Sequence, residues 1–471
     1  MFSFFLRAIP EVLMWPYLVG FDPLGYYIPY VFTWLRNGVN FWCLMREAPL
    51  FYLLIMPTAS MGTTHLALTL KILPPILHGF LALAIYFYAN KILAWPPRKS
   101  LAAALLATLY FVALRISWDL LRNELGLTLL FASLILLNKL DNGKKGCTLA
   151  ALAMAAVALT HLLVATIMFA IVATMFVQKW LAKKRNEAFK LLILSIPAIL
   201  FLLLTLYAGY IMPPTPPEFN ILNPEEGWLT LFEFASYTDM VIKMLGFLAY
   251  CYLPLIPIAI ISARSIKNLQ IKTWIVFSLI AAFSPLVPTL AYRWILMIIY
   301  PIAFYVIETL WNITPNSRRL FVSAILLTVL SMLTIGFITM PSENPFPYYT
   351  VQEFQCYIPS SMLQNTVPQS ECPNVVKCLN WLENAMSTNS VMLAHTAFCG
   401  WALITTDINE VIPYGYGNPE TAAINVSQQG YTQIYLIWWV EGKGWHGRPI
   451  VSSSFKEVYR SENIAVYIYE K

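Results

Sequence analysis

LLILSIPAILFLLLTL, residues Leu191–Leu206, carries no charge and follows a loop holding Lys179, Lys183, Lys184, Arg185 and Lys190. Such a run approaches the roughly 20 residues that cross a hydrocarbon core. A second run, Phe321–Ile338, stands directly behind Arg318 and Arg319. The whole chain of 471 residues follows the same pattern: 59% is hydrophobic and only 11% charged, against roughly 25% charged in soluble domains. A soluble chain of this size needs far more charge to cover its surface. The 15 Trp and 26 Tyr suit rings anchored at headgroup level. No cleavable signal peptide is expected, because Arg7, Pro10, Glu11 and Pro16 break the opening apolar run.

Working outward from these runs, apolar segments predict about eleven crossings, at 1–18, 64–90, 101–116, 123–138, 147–160, 162–178, 188–211, 241–262, 273–287, 293–311 and 320–340. Five connections between them are basic. Besides the two already named, they hold Lys91, Arg98 and Lys99, then Lys139, Lys144 and Lys145, then Arg264, Lys267 and Lys272, with only Asp141 and Glu187 opposing. The positive-inside rule makes these loops cytoplasmic. The loop 212–240 carries Glu218, Glu225, Glu226, Glu233 and Asp239 and no base, so it is expected outside. The segment 147–178 lies between two basic loops and must cross an even number of times, with its turn at Thr160–His161. The apolar segment 49–57 is too short to cross and reads as interfacial or re-entrant.

Residues 1–340 thus form the membrane part, with a first outer loop at about 19–63. Residues 341–471 change character, with apolar runs of strand length at Tyr431–Val440 and Ile464–Tyr469. Pro373 opens an amphipathic helix through Met386, with Val375, Leu379, Leu382 and Met386 at helical spacing. The expected fold is a multi-pass α-helical membrane protein with a C-terminal extracytoplasmic α/β domain, in the plasma membrane. Four of the seven cysteines, Cys356, Cys372, Cys378 and Cys399, fall in this last domain. Outside the cytoplasm they are expected to form two disulfides, in any of three pairings. Cys372 and Cys378, about 9 Å apart along a helix, are not expected to pair with each other.

On this topology Lys71, Arg115, Arg122, Lys243 and Arg293 lie near the outer ends of five helices, and Arg36 and Arg46 lie in the first outer loop. This runs against the positive-inside bias. Ionisable groups near a membrane are costly and face a cavity or each other. Asp22, Glu47, Asp119 and Glu124 share the layer. Internal ion pairs, such as Asp119 with Arg122 or Arg46 with Glu47, are one account. The other is a pocket at the outer leaflet that holds a phosphate, for which Arg and Lys supply charge-assisted hydrogen bonds, beside a carboxylate for acid–base or metal chemistry.

The run Arg7-Ala8-Ile9-Pro10 through Gly20-Phe21-Asp22-Pro23 with Tyr26 and Tyr27, then Ala48-Pro49-Leu50-Phe51-Tyr52, Trp118-Asp119-Leu120-Leu121-Arg122-Asn123-Glu124-Leu125-Gly126, Thr160-His161 and Tyr292-Arg293, resembles the GT-C superfamily of polytopic glycosyltransferases. That superfamily includes protein mannosyltransferases, aminoarabinose transferases and oligosaccharyltransferase catalytic subunits. The motifs are short, and their order and placement carry the resemblance. It implies a GT-C-like membrane domain and a hexosyltransferase-type enzyme moving a sugar from a polyprenyl-phosphate-linked donor to a protein, lipid or glycan acceptor among membrane lipids. No nucleic-acid partner is expected. It further implies Asp22 as the catalytic or metal-binding acid and Glu47 as a second catalytic acid. Tyr26, Lys71, Arg115, Asp119, Arg122, His161 and Arg293 are the implied substrate-binding residues, with Arg293 on the donor phosphate. A divalent cation, Mg or Mn, is carried as an optional cofactor at Asp22, since the outer loop lacks an Asp-X-Asp. An oligosaccharyltransferase-like subunit, a transporter or flippase, and a non-catalytic scaffold are the rival readings. Charge gathered at the outer rim rather than the bilayer midplane, with no internal repeat, favours the transferase over the transporter. Trp438-Trp439-Val440-Glu441-Gly442, at the end of a predicted strand, reads as core packing.

Overall fold

The computed structural model describes residues 1–138, 143–212, 234–285, 291–339, 356–357, 365–405, 411–415, 417–440 and 451–470. Most of loop 212–240, including Glu218, Glu225, Glu226 and Glu233, and the boundary at 340 lie outside the described residues, as do Lys139 and Asp141.

Helices occupy all eleven segments predicted to cross. They are α1 (Phe2–Leu13), α5 (Thr63–Lys91), α6 (Pro97–Leu109) with α7 (Phe111–Asp119), α8 (Leu121–Leu137), α9 (Gly143–Thr160), α10 (Leu162–Leu181) and α11 (Arg185–Ile211). After these come α12 (Tyr237–Tyr252) with α13 (Ile256–Ile261), α14 (Leu269–Ala282), α15 (Ala291–Met297) with α16 (Ile299–Ile313), and α17 (Arg319–Thr339). Among the described residues four are long and apolar enough to cross unaided: α5, α10, α11 and the stretch Ala291–Ile313.

Three segments differ from the uninterrupted spans expected. α1 stops at Leu13, short of residue 18, because Pro16 cannot continue the ladder. The segment 101–116 is bent by 62° where Tyr110 takes an extended conformation, its hydroxyl donating to the Cys251 carbonyl at 2.8 Å. The segment 241–262 breaks after Leu253, where Pro254 and Pro257 follow in quick succession.

The first outer loop is largely helical. A π-helical turn, Pro23–Tyr27, leads into α2 (Ile28–Asn37), followed by α3 (Phe41–Arg46) and α4 (Leu50–Ser60), the last holding the apolar segment too short to cross. The Thr160–His161 turn falls where the sequence puts it: α9 ends at Thr160, and His161 caps α10.

The C-terminal part carries a five-stranded sheet of order β2-β1-β3-β5-β4. The strands are β1 (Ser390–His395), β2 (Val411–Gly415), β3 (Gln433–Trp439), β4 (Phe455–Ser461) and β5 (Ile464–Tyr469). β1 pairs in parallel with β2 and β3, whereas β5 pairs antiparallel with β3 and β4. The amphipathic helix runs Cys372–Ala385, and Trp438 and Trp439 are core residues.

The disulfide expectation is corrected. None of Cys356, Cys372, Cys378 and Cys399 is at disulfide distance from another cysteine. Cys372 and Cys378 are buried, with Sγ 3.7 Å from the Pro368 carbonyl and 3.6 Å from the Ile464 carbonyl. Burial pushes both thiols up to about 12, so they stay protonated and pack as small hydrophobes.

One apolar cluster joins the two parts of the chain. It includes Leu24, Tyr27, Phe51 and Tyr52 from the first outer loop and Phe398, Trp401 and Trp439 from the C-terminal part. The helix Thr396–Thr405 lies directly on the π-helical turn. Gly400 allows this, since a Cβ there would collide with the Leu24 carbonyl.

Candidate functional site

The site begins with how the chain turns after α1. Gly20 takes φ of +104°, and a Cβ there would stand 2.9 Å from both the Asp119 Cβ and the Trp118 carbonyl oxygen. A residue with a side chain would suffer both the backbone strain and the clash. Glycine therefore lets the first outer loop lie against the end of α7. The Phe21 N–H donates to Asp119 Oδ2 at 3.3 Å, and Arg115 pairs with Asp119 Oδ1 one helical turn away. Both oxygens of Asp119 are thus engaged, one with the loop and one with Arg115 of its own helix.

Asp22 follows, at the head of the π-helical turn. Such turns recur at functional sites, because the extra residue re-aims side chains. Here Tyr26 and Tyr27 both face one cavity of about 210 Å³, together with Asp22. Tyr30 from α2, Glu47 at the end of α3 and Tyr52 from α4 also line it. So do Arg122 and Asn123 from the start of α8, His161 from the α9–α10 turn and Arg293 from α15.

The acids and bases of this cavity are unequally engaged. Arg122 donates to the Glu47 backbone carbonyl, and its guanidinium also lies 3.4 Å from Glu47 Oε2 and 3.3 Å from the Tyr52 hydroxyl. Asp22 accepts one long hydrogen bond, 3.3 Å, from Tyr27, whose hydroxyl lies 3.1 Å from the Asp119 carbonyl. Among the described residues no carboxylate lies within ion-pair distance of Arg293. Burial pushes the Asp22 carboxyl above its ordinary range, while Arg293, Arg115 and Arg122 pull it back. Burial also holds His161 well below the ordinary histidine range, helped by Arg122 and Arg293. Its Nδ1 accepts the Leu163 N–H at 3.1 Å. The neutral ring therefore carries its proton on Nε2, leaving that atom as a donor.

Of the residues singled out from sequence, Asp22, Tyr26, Glu47, Arg122, His161 and Arg293 line this one cavity. Arg115 and Asp119 stand behind it, engaged with each other. Lys71 is elsewhere: its Nζ lies 3.6 Å from Glu11 Oε2 and 3.0 Å from the Glu11 carbonyl, with Arg7 on the same carboxylate. Tyr27, Tyr52 and Asn123, named from sequence only as motif residues and not as site residues, also line the cavity, as does Tyr30, which was not named. Asn123 directly follows Arg122, a polar pair at the head of an apolar helix, which was the available signal. Its Nδ2 is buried without a partner among the described residues.

Among the described residues no three His, Cys, Asp or Glu side chains gather as an ion's ligands. In the cavity Glu47 is already tied to Arg122, which leaves Asp22 as a lone carboxylate. The residues present do not make up a protein-built metal centre, and no step below runs through one.

No family model matches this chain, and no curated protein matches it. Among solved structures it is similar to ArnT from Cupriavidus metallidurans bound to undecaprenyl phosphate, at 12% identity and a TM-score of 0.54, over 99% of this chain and 97% of that one. It is also similar to the same protein in the apo state, at 10% identity and a TM-score of 0.55, over 98% and 96% of the two chains. What is shared at such identity is the fold. This chain shares the multi-pass fold of those two ArnT structures, through its apolar helices and its C-terminal sheet alike.

Proposed function

We propose that this protein transfers a sugar from a polyprenyl-phosphate-linked donor to an acceptor at the outer face of the membrane. The observation that carries the reading is the convergence of Asp22 and Arg293 on one polar cavity, where among the described residues the acid accepts one long hydrogen bond and the base has no carboxylate at ion-pair distance. Undecaprenyl phosphate, bound in one of the similar ArnT structures, suggests the class of donor.

In this reading Arg293 holds the donor phosphate, with the His161 Nε2–H and the Asn123 amide as neutral donors nearby. Asp22 accepts the proton of the acceptor group as that group attacks the anomeric carbon. The bond from the anomeric carbon to the phosphate oxygen breaks, and its electron pair leaves with the polyprenyl phosphate, whose growing charge faces Arg293. The cavity's tyrosines, Tyr26, Tyr27, Tyr30 and Tyr52, offer apolar faces and hydroxyls to the sugar. Glu47 acts through Arg122, fixing that guanidinium at the rim. A C-terminal domain outside the cytoplasm belongs to the same proposal, because its helix Thr396–Thr405 packs on the π-helical turn that carries Asp22.

The test is transfer of a radiolabelled sugar from a polyprenyl-phosphate donor in proteoliposomes, after screening for the sugar. Asp22→Asn keeps the size of the side chain and removes its charge. Near-normal turnover in that variant would end the assignment of Asp22 as the base.

A further inference from the structure

Asp22 is bracketed by the C-terminal part of the chain. Two residues before it, the Gly20 N–H donates to Asn365 Oδ1 at 2.8 Å across 345 positions of sequence. The same oxygen accepts the Trp118 indole N–H at 3.4 Å. Two residues after it, the Leu24 carbonyl lies against Gly400, and a Cβ at Gly25 would stand 3.4 Å from the Thr396 methyl. These two contacts belong to one rigid piece, because the Trp401 indole N–H donates to Thr366 Oγ1 at 3.0 Å. Asn365 is buried, and its Nδ2 has no partner among the described residues. Only the acceptor half of its amide is used. A buried amide that leaves its donor unsatisfied accepts a cost, and here that oxygen joins the two segments that carry Asp22 and Asp119.

We propose that the C-terminal domain clamps the turn that carries Asp22, and that Asn365 is the positioning residue that fixes where this carboxylate stands. The inference rests on the transferase reading above. Asn365 touches neither the cavity nor the phosphate side of the site, so its effect belongs to turnover rather than to donor binding. Without its oxygen, Gly20 and Trp118 lose their shared acceptor, and the Gly20 turn can drift from the end of α7. Small displacements of a catalytic group lower the rate steeply.

The experiment measures kcat, donor KM and the pH profile of the full-length protein in proteoliposomes for wild type, Asn365→Ala, Asn365→Asp and Asp22→Asn. Asn365→Ala should lower kcat by on the order of tenfold, the loss of two hydrogen bonds, with donor KM close to wild type. Asn365→Asp restores the acceptor but adds negative charge near Asp22. It should recover turnover at high pH and move the acid limb of the profile upward. Normal kcat for folded Asn365→Ala overturns the clamp, as does a loss confined to thermal stability or yield. Unchanged turnover in Asp22→Asn instead overturns the transferase assignment itself, so the two failures are separable.

Discussion

Two clusters of buried charge differ in whether, among the described residues, each base has an acid at ion-pair distance. In the first, Glu11 lies between Arg7 and Lys71 at 2.9 and 3.6 Å, with all three side chains buried. Arg7 also donates to the Ser117 and Trp118 carbonyls at 3.1 and 3.2 Å. That cluster is closed on itself: its own ion pairs and hydrogen bonds tie α1 to α5 and α7. In the second, Glu47 engages Arg122 and leaves Asp22 and Arg293 facing an open space. The cost of burying ions is met internally in the first cluster and left for a ligand to meet in the second. The depth expected from sequence did not separate them. Partnership does.

The comparison can be tested from its largest expected effect downward. Asp22→Asn should cost on the order of 100-fold or more in turnover. Arg293→Ala should weaken donor binding by about one to two orders of magnitude, as expected for charge-assisted hydrogen bonds, and Arg293→Lys should recover little if the contact is bidentate. The pH dependence follows with its sign. Asp22 must be ionised to accept a proton, so turnover falls as pH drops through its folded pKa. Burial holds that pKa above the ordinary carboxylate range, and Arg293 is the foremost group pulling it down. The acid limb should therefore stand above the ordinary carboxylate range, and Arg293→Ala should move it higher. No change in that limb would separate the two residues and break the comparison.

Lys71→Met addresses the closed cluster. Removing one partner of a buried ion network costs about 3–5 kcal/mol of stability, so thermal unfolding should shift down while turnover per folded molecule stays near wild type. A selective loss of turnover would place Lys71 in the chemistry. The smallest expected effect lies in the C-terminal sheet. Burial holds His395 down at about 3, so below about pH 6.5 the unfolded chain binds a proton that the folded one refuses. This residue's contribution to stability is therefore lost as pH falls, by up to about 1.4 kcal/mol per pH unit. His395→Asn keeps an acceptor for the Ala397 N–H, which His395 Nδ1 accepts at 3.1 Å, and does not titrate. The stability gap between wild type and that variant should narrow from pH 7 to pH 4 in scanning calorimetry. Topology has its own test. The sequon at Asn425, exposed on the helix Pro419–Ser427, should accept glycan in a secretory host, and the one at Asn312 should not.

Much of this was legible in the sequence for a definite reason. Apolar runs mark where helices begin and end, and reading Asp22, Arg122, His161 and Arg293 as one layer at such ends anticipated that they line one cavity. Pairing within the layer is not encoded. Nothing local joins Lys71 to Glu11 or Asn365 to Gly20, because such contacts depend on the angles at which helices cross. The strand Ser390–His395 escaped notice because it is buried along its whole length, which erases the alternation that marks a half-exposed strand. The bend at Tyr110 escaped as well, since no proline or glycine stands there. The cysteines misled because clustering in sequence says little about whether thiols meet in space.

On the proposed transferase reading, an Arg293 with no carboxylate at ion-pair distance among the described residues has a consequence for the end of the catalytic cycle. A sugar-bearing polyprenyl phosphate is a diester with one negative charge, whereas the spent carrier is a monoester with up to two. A neutral His161 leaves two arginines and two acids at the rim. A site arranged this way should grip the departing carrier more firmly than the incoming donor. The reaction should then be slowed by its own lipid product, with release the slow step. Polyprenyl phosphate added to the assay should compete with the donor far better than the uncharged polyprenol, and Arg293→Ala should abolish that advantage. Equal inhibition by the two lipids would mean that the isoprenoid tail, and not the phosphate, holds the carrier.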